Sequence, residues 1–515
     1  MPASIEVYER DGSIITLCGV QSEKVTYKNV WIVPGESGGM DVYIGTIVRT
    51  FPEEEKLKDR TDGVLADVEL DKGKIRKLSL KEDMIEGKVL SVKDDTIEID
   101  GYGTLKLDDD FKVYKTYGVV KEQKKRDVLV GYDLGKFVVA GKKVCAALLN
   151  HDFSATNIRV LIMNDDYSSL FHTKVVLQSD STMHVTWGES EETLSPGTKL
   201  SVSPGDDRLK EGRMTITLED PQKEIRILST KRAQGTPSYF GSFELSEESD
   251  GLLLINELDV EDYLTRVVPS EMPSNYELEA LKAQAILART FVLQFVSQKE
   301  SMYDGADIST DIKEAQAYDA TGVNARIREA VKETRGEVLN AGGELPYAWF
   351  HAHSGGLTAR AKEGLDYEKA EPSYTQCVKG MENDEAPAEA AHWQADFSAD
   401  EVMAAANASG AKVDALESIA VGRRGESGRA ETLLISGQEV SAPAFRIAIG
   451  STKMRSCLLE SLRVEDGRVK MSGKGYGHGV GMSQWGAYAM AKAGKTAEEI
   501  VMHYFRGVSI DRAWE

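Results

Sequence analysis

The chain has 515 residues, 41% hydrophobic and 28% charged, a balance that excludes wholesale disorder. Lys and Arg number 62 against 84 Asp and Glu, so the net charge is −22. A body this acidic is repelled by phosphate backbones and anionic lipid heads, which argues against nucleic acid as a partner and leaves carbohydrate compatible; the same charge also serves solubility.

At ~150 residues per domain the length allows roughly three or four domains. Cys18, Cys145, Cys377 and Cys457 form no Cys-x-x-Cys pair and are too sparse for a disulfide scaffold. The opening Met1-Pro-Ala-Ser-Ile has neither a basic n-region nor an apolar h-region, and no apolar run is long enough to span a bilayer. The expectation is a cytoplasmic protein or a trimmed extracellular one.

Residues 1–150 read as β. Ile85 to Gly103 alternates apolar and polar positions between Asp/Gly turns, the pattern of small barrels or sandwiches in an accessory module. Residues 155–250 continue in short strands such as Asn157 to Met163 and Lys174 to Leu177, with a break at Pro204-Gly205. Leu252 to Asn256 reads as a buried strand. The block Tyr263-Leu-Thr-Arg-Val-Val-Pro-Ser-Glu-Met-Pro273 follows, and then a helix. Leu278, Leu281, Ala285, Ala288, Val292 and Phe295 form one apolar stripe on it, with Ser274 and Glu277 as its capping box. A second helix runs from Ala325 to Thr334 and stops at Gly336. Residues 366–410, acidic and Ala-rich, read as a surface excursion with one helix. Strands return between 412 and 471, and two helices close the chain. The expected class is α+β: a mixed region over 251–515 preceded by all-β modules.

Three segments carry candidate chemistry. Glu271 lies between Pro269 and Pro273, which predicts a carboxylate on a fixed, short turn. Val267, Val268 and Met272 would raise its pKa, whereas the start of the next helix would lower it. In Phe350-His-Ala-His-Ser-Gly-Gly-Leu-Thr358, His351, His353 and Ser354 are placed to orient sugar hydroxyls, and Gly355 lets backbone approach a ligand. No Asp or Cys partner beside these His favours a metal. The Gly-rich run Gly473 to Ala487 holds His478, Ser483 and Gln484. It matches neither a dinucleotide fingerprint nor a P-loop, and it is one residue off a nucleophile elbow. On the helix, Gln284 and Arg289 fall at the edge of the buried face, where groove lining and internal bracing are equally open, and Lys282 lies apart from that face. Buried hydrogen bonding and substrate contact are equally open for His351 and His478. Ser483 and Gln484 either line a groove or cap the following helix, and Trp485 is expected in the core.

Taken together, Val267-Val-Pro-Ser-Glu-Met-Pro273, Ala280-Leu-Lys-Ala-Gln-Ala…Ala288-Arg-Thr290, His351-Ala-His-Ser-Gly-Gly-Leu-Thr358 and Gly477-His-Gly-Val-Gly-Met-Ser-Gln-Trp-Gly-Ala487 resemble the SpoIID/LytB family. Gln316-Ala-Tyr318, Thr334-Arg-Gly-Glu-Val-Leu339 and Ser427-Gly-Arg429 are lesser matches. The resemblance covers 155–515 and leaves out the N-terminal β region. It implies a peptidoglycan lytic transglycosylase acting on denuded glycan strands and leaving anhydro-MurNAc ends, with Glu271 as acid and base and no cofactor. The candidate substrate-binding residues are Lys282, Gln284, Arg289, His351, Ser354, Gly355, His478, Ser483 and Gln484. The resemblance also implies extracellular or cell-wall placement, with a membrane tether in the full-length product as one form. A non-catalytic, wall-binding enhancer of a cell-wall amidase is the alternative. A true hydrolase is a third, and would draw a second carboxylate from Asp259, Glu261 or Asp262.

Two departures stand out. The family's zinc-binding Cys and His before the Gln-x-Tyr block are absent from Asp311 to Tyr318, and Ala352 stands where the family usually has Ser.

Overall fold

A computed structural model describes residues 4–10, 13–35, 39–45, 47–52, 54–58, 60–133, 135–151, 156–210, 212–232, 235–298, 303, 305–311, 316–318 and 323–515, with backbone alone before residue 23. Two compact units result: Met1–Ala155 with Lys299–Ile308, and Thr156–Gln298 with Ser309–Glu515.

The first unit is β throughout its sheets. One sheet is antiparallel and five-stranded, ordered Ile47–Pro52, Gly39–Ile44, Lys24–Pro34, Val64–Asp71, Lys74–Lys81. Another is built around the long strand Gly103–Lys115, which pairs antiparallel with Thr96–Ile99 and parallel with Lys143–Leu149. Alternating burial sends Val64, Val68 and Leu70 into one core and Ile97 and Ile99 into another, as the period of two requires. Buried Asn29, at φ 52°, kinks its strand at a bulge; it donates to Asp108 and to the Asp110 carbonyl while its own carbonyl accepts from Tyr114.

The second unit starts with antiparallel strands in the order Ser190–Leu194, Met183–Trp187, Arg213–Leu218, Ser242–Glu248, Gly251–Asp259, Asn157–Leu161. Gly251–Asp259 is buried from Leu252 to Asn256 and feeds directly into helix α1 (Val260–Glu271), whose first turn is capped by Asp259 Oδ1 accepting from the Glu261 N–H at 2.7 Å. Helix α2 (Leu278–Gln298) is the centre of the unit. The sequence stripe predicts one apolar face, yet every residue from Ala280 to Thr290 except Lys282 is buried. The reason is that α1, α3 (Ala325–Glu333) and two C-terminal helices pack around it. Ser274 does not cap α2: the Glu277 carbonyl accepts the first helical bonds, from Ala280 and Leu281.

Beyond α3 come two short helices, α4 (Ala361–Leu365) and α5 (Ala388–Ala391), then α6 (Ala399–Ala408) and α7 (Ala442–Ile449). The expected surface excursion over 366–410 holds for residues 366–392, nearly all exposed or partly exposed, but is corrected for the residues from Trp393 onward. Trp393, Phe397, Val402 and Ala406 are buried in one core with Leu433, Phe445 and Val469, under the sheet His392–Ser398, Arg468–Lys474, Leu459–Glu465. The acidic, Ala-rich text conceals an amphipathic pattern completed by strands some 70 residues later. Helices α8 (Gln484–Lys492) and α9 (Ala497–Tyr504) return the chain to α2.

Candidate active site

Glu271 is the last residue of α1, not part of a turn. Met272 is extended (φ −135°, ψ 132°), as a residue before proline prefers, and so ends the helix. The carboxylate therefore stands at the negative end of a helix dipole, opposite in sign to the sequence expectation. Val267, Val268 and Met272 are fully buried around this helix end. Burial pushes the Glu271 carboxyl above its ordinary pKa, opposed by one hydrogen bond, from the Ala317 N–H to Oε1 at 3.2 Å. That amide belongs to the Gln316-Ala-Tyr318 block. Tyr318 is anchored by its hydroxyl on Asn256 at 2.8 Å and by stacking on Tyr239 and Tyr263.

Phe350–His351 pairs parallel with Met482–Ser483, bringing the two glycine-rich segments side by side. His351 Nδ1 faces the Val480 carbonyl at 3.0 Å and so carries the proton; burial holds its pKa at about 3. His478 is only partly buried, yet desolvation holds it well below the usual imidazole range, and its Nδ1 accepts from the Val480 N–H. Ser354 is fully buried, its Oγ accepting from the Gly356 N–H. His351, Ser354 and His478 thus brace the loops from inside. Gly355 (φ 75°) meets the backbone of Lys474 and Gly475, which a Cβ would approach to 3.0–3.1 Å; this close passage and the left-handed backbone both favour glycine.

Gln484 opens α8 and donates to the Glu271 carbonyl at 2.8 Å and to Gln284 Oε1 at 3.3 Å. Ser483 caps α8, accepting from the Gly486 N–H. The fold therefore gathers Glu271, Gln284, Gln484 and Ser483. It does not bring Lys282 or Arg289 into that group. Lys282 forms ion pairs with Glu279 and Glu333. Arg289, fully buried, forms a two-bonded pair with Glu261 and donates to the Glu337 carbonyl. Trp485 is only partly buried, against Tyr276 and Tyr488.

Two further residues lie outside the set of site residues predicted from the sequence. Glu382 accepts from both Ser354 and Ser483, and fully buried Arg429 donates to the Ser354 and Leu357 carbonyls. Neither has a local signature; only the Ser427-Gly-Arg429 match pointed near Arg429. Among the described residues no group of three or more His, Cys, Asp or Glu is arranged to hold a metal ion. Residues 312–315 of the stretch before Tyr318 lie outside the described residues. With no Cys or His in its sequence, that stretch does not fit a thiolate–imidazole zinc site, and no step below passes through one.

Residues 248–340 match the family model described as Stage II sporulation protein. Over 272 residues the chain is 30% identical to Stage II sporulation protein D of Bacillus amyloliquefaciens, covering 50% of this chain and 76% of the relative. The chain belongs to the SpoIID family. An uncharacterized protein of Brachyspira hyodysenteriae is 30% identical over 274 residues (53% of this chain, 72% of the relative). The amidase enhancer of Bacillus subtilis is 26% identical over 291 residues, covering 48% of this chain and 40% of that protein. Residues 367–481 match a domain of unknown function, so the SpoIID-family model itself ends before Glu382.

Proposed function

We propose that this SpoIID-family protein is a peptidoglycan lytic transglycosylase that cleaves MurNAc–GlcNAc bonds of glycan strands stripped of stem peptides, in the cell wall or outside the membrane. The observation that carries the reading is Glu271 itself. Its carboxyl is held toward the protonated form by burial, with the Ala317 amide as its hydrogen-bond partner and no cation paired with it among the described residues. A protonated carboxyl gives its proton to the glycosidic oxygen as the C–O bond breaks. The carboxylate so formed takes the proton of the MurNAc 6-hydroxyl, which closes on the anomeric carbon. Atoms balance without water, and Glu271 ends as it began.

The second carboxylate of a hydrolase finds little support. Glu261 is committed to Arg289, the Gly336 N–H and the Trp514 indole. Asp259 caps α1. Asp262 precedes Glu271 by nine residues on the same helix, roughly 13 Å along its axis.

The second reading, a wall-binding amidase enhancer, draws on the relative of that name. Turnover of purified denuded strands by wild type and Glu271→Gln, run beside stimulation of a cell-wall amidase, separates the two. A transglycosylase loses strand turnover in Glu271→Gln. An enhancer turns over no strands and stimulates the amidase equally well in both forms.

A further inference from the structure

A second carboxylate binds the two glycine-rich segments together. Glu382 Oε1 accepts from the Ser354 N–H and from the Ser483 hydroxyl, both at 2.6 Å, with His353 Nδ1 at 3.8 Å. Its side chain is 7% exposed. Burial alone would favour the neutral acid, but the bonds from Ser483 and Ser354 outweigh it and keep the carboxyl below its ordinary pKa. The approach is built into the backbone. Met381, just before it, has φ 66°, a conformation a non-glycine residue rarely adopts. The Gly380 carbonyl accepts from the Tyr504 hydroxyl, and Gly486 passes so close that a Cβ there would stand 1.9 Å from the Gly380 oxygen. Ser483, held by Glu382, immediately precedes Gln484, which holds the Glu271 carbonyl and Gln284.

We propose that Glu382 is a positioning residue for Glu271: it fixes Ser483, and through it Gln484, against the end of α1, so that residues 367–481 complete the catalytic unit. The kinetic arm of the test rests on the transglycosylase reading; the exchange arm does not.

The Ser354 N–H and the Ser483 hydroxyl both donate to Oε1, so Glu382→Gln keeps an acceptor in place for them and Glu382→Ala removes it. For the two variants and wild type, kcat and KM on denuded strands are measured together with amide hydrogen exchange. Small displacements of reacting groups cost on the order of tenfold to a hundredfold in rate. The expected result is therefore a kcat loss of that order in Glu382→Ala with KM little changed, and near wild-type kcat in Glu382→Gln. Exchange at 354–356, 483–487 and 269–273 should be faster in Glu382→Ala. Glu382→Gln as inactive as Glu382→Ala would make Glu382 a proton-transferring group and overturn the proposal. Wild-type kcat in Glu382→Ala would reduce it to a structural contact and overturn it too. If wild type makes no product, the functional reading falls separately; unchanged exchange at 269–273 in Glu382→Ala would still sink the positioning role.

Discussion

Gln484 Nε2 stands 2.8 Å from the carbonyl oxygen of Glu271, across 213 positions of sequence. One side-chain amide thus satisfies a carbonyl at the C-terminus of α1, which has no partner within its own helix, and joins the start of α8 to the residue proposed as the acid. Gln484→Ala leaves the Glu271 carbonyl and Gln284 Oε1 without this donor. A buried group so orphaned costs about 1–3 kcal/mol. Urea melts should show a loss in that range, and kcat on denuded strands should fall by roughly tenfold or more. Unchanged kcat would separate Gln484 from the site.

The raised pKa of Glu271 makes two signed predictions. As an acid, it keeps its proton to higher pH than an ordinary carboxyl, so kcat/KM should fall as pH rises through the Glu271 pKa. As a carboxyl raised above its unfolded value by desolvation, it contributes stability in its protonated form that is lost as pH rises through the folded pKa. Glu271→Gln should therefore melt higher than wild type near neutral pH, and the gap should close on acidification. A variant melting lower at neutral pH contradicts the assignment.

The histidines predict the opposite slope. His351 is neutral in the fold, with a pKa of about 3, while an unfolded histidine takes a proton near 6.5. Below that value the unfolded chain binds more protons, so stability falls as pH drops. The decline in melting temperature from pH 7 to pH 5 should be shallower in His351→Gln than in wild type. Identical slopes would show that His351 is not held neutral.

Lys282 and Arg289 lie seven residues apart on α2 and should behave differently. Arg289 is fully buried on Glu261, and breaking such a pair from one side costs about 3–5 kcal/mol. Lys282 joins Glu279 and Glu333 at a partly exposed position, where such pairs contribute about 0–1 kcal/mol. Chemical denaturation of Arg289→Met and Lys282→Met should show this contrast, with strand turnover retained in the lysine variant. Turnover lost in Lys282→Met would return Lys282 to the substrate-binding set.

What the sequence reveals about this protein follows from the range of each interaction. The spacing of Leu281, Ala285 and Ala288 finds α2, because a helix face is written within a few turns. It cannot show that the other faces are buried as well, since α1, α3, α8 and α9 come from elsewhere in the chain. The prolines mark Glu271 as fixed, but whether it ends a helix or sits on a turn depends on Val260 to Val268 continuing helical through Pro269. Glu382 sits in a polar run that looks solvated, and its partners Ser354 and Ser483 lie 28 and 101 positions away. Trp393 and Phe397 are hidden the same way, with their core supplied by Leu433, Phe445 and Val469.

The most direct test of the account is mass spectrometry of the ends produced from purified denuded glycan strands by wild type and by Glu271→Gln. The account predicts anhydro-MurNAc ends, lighter by one water than hydrolytic ends, from wild type and none from the variant. Reducing ends from wild type, or anhydro ends undiminished in Glu271→Gln, would contradict it.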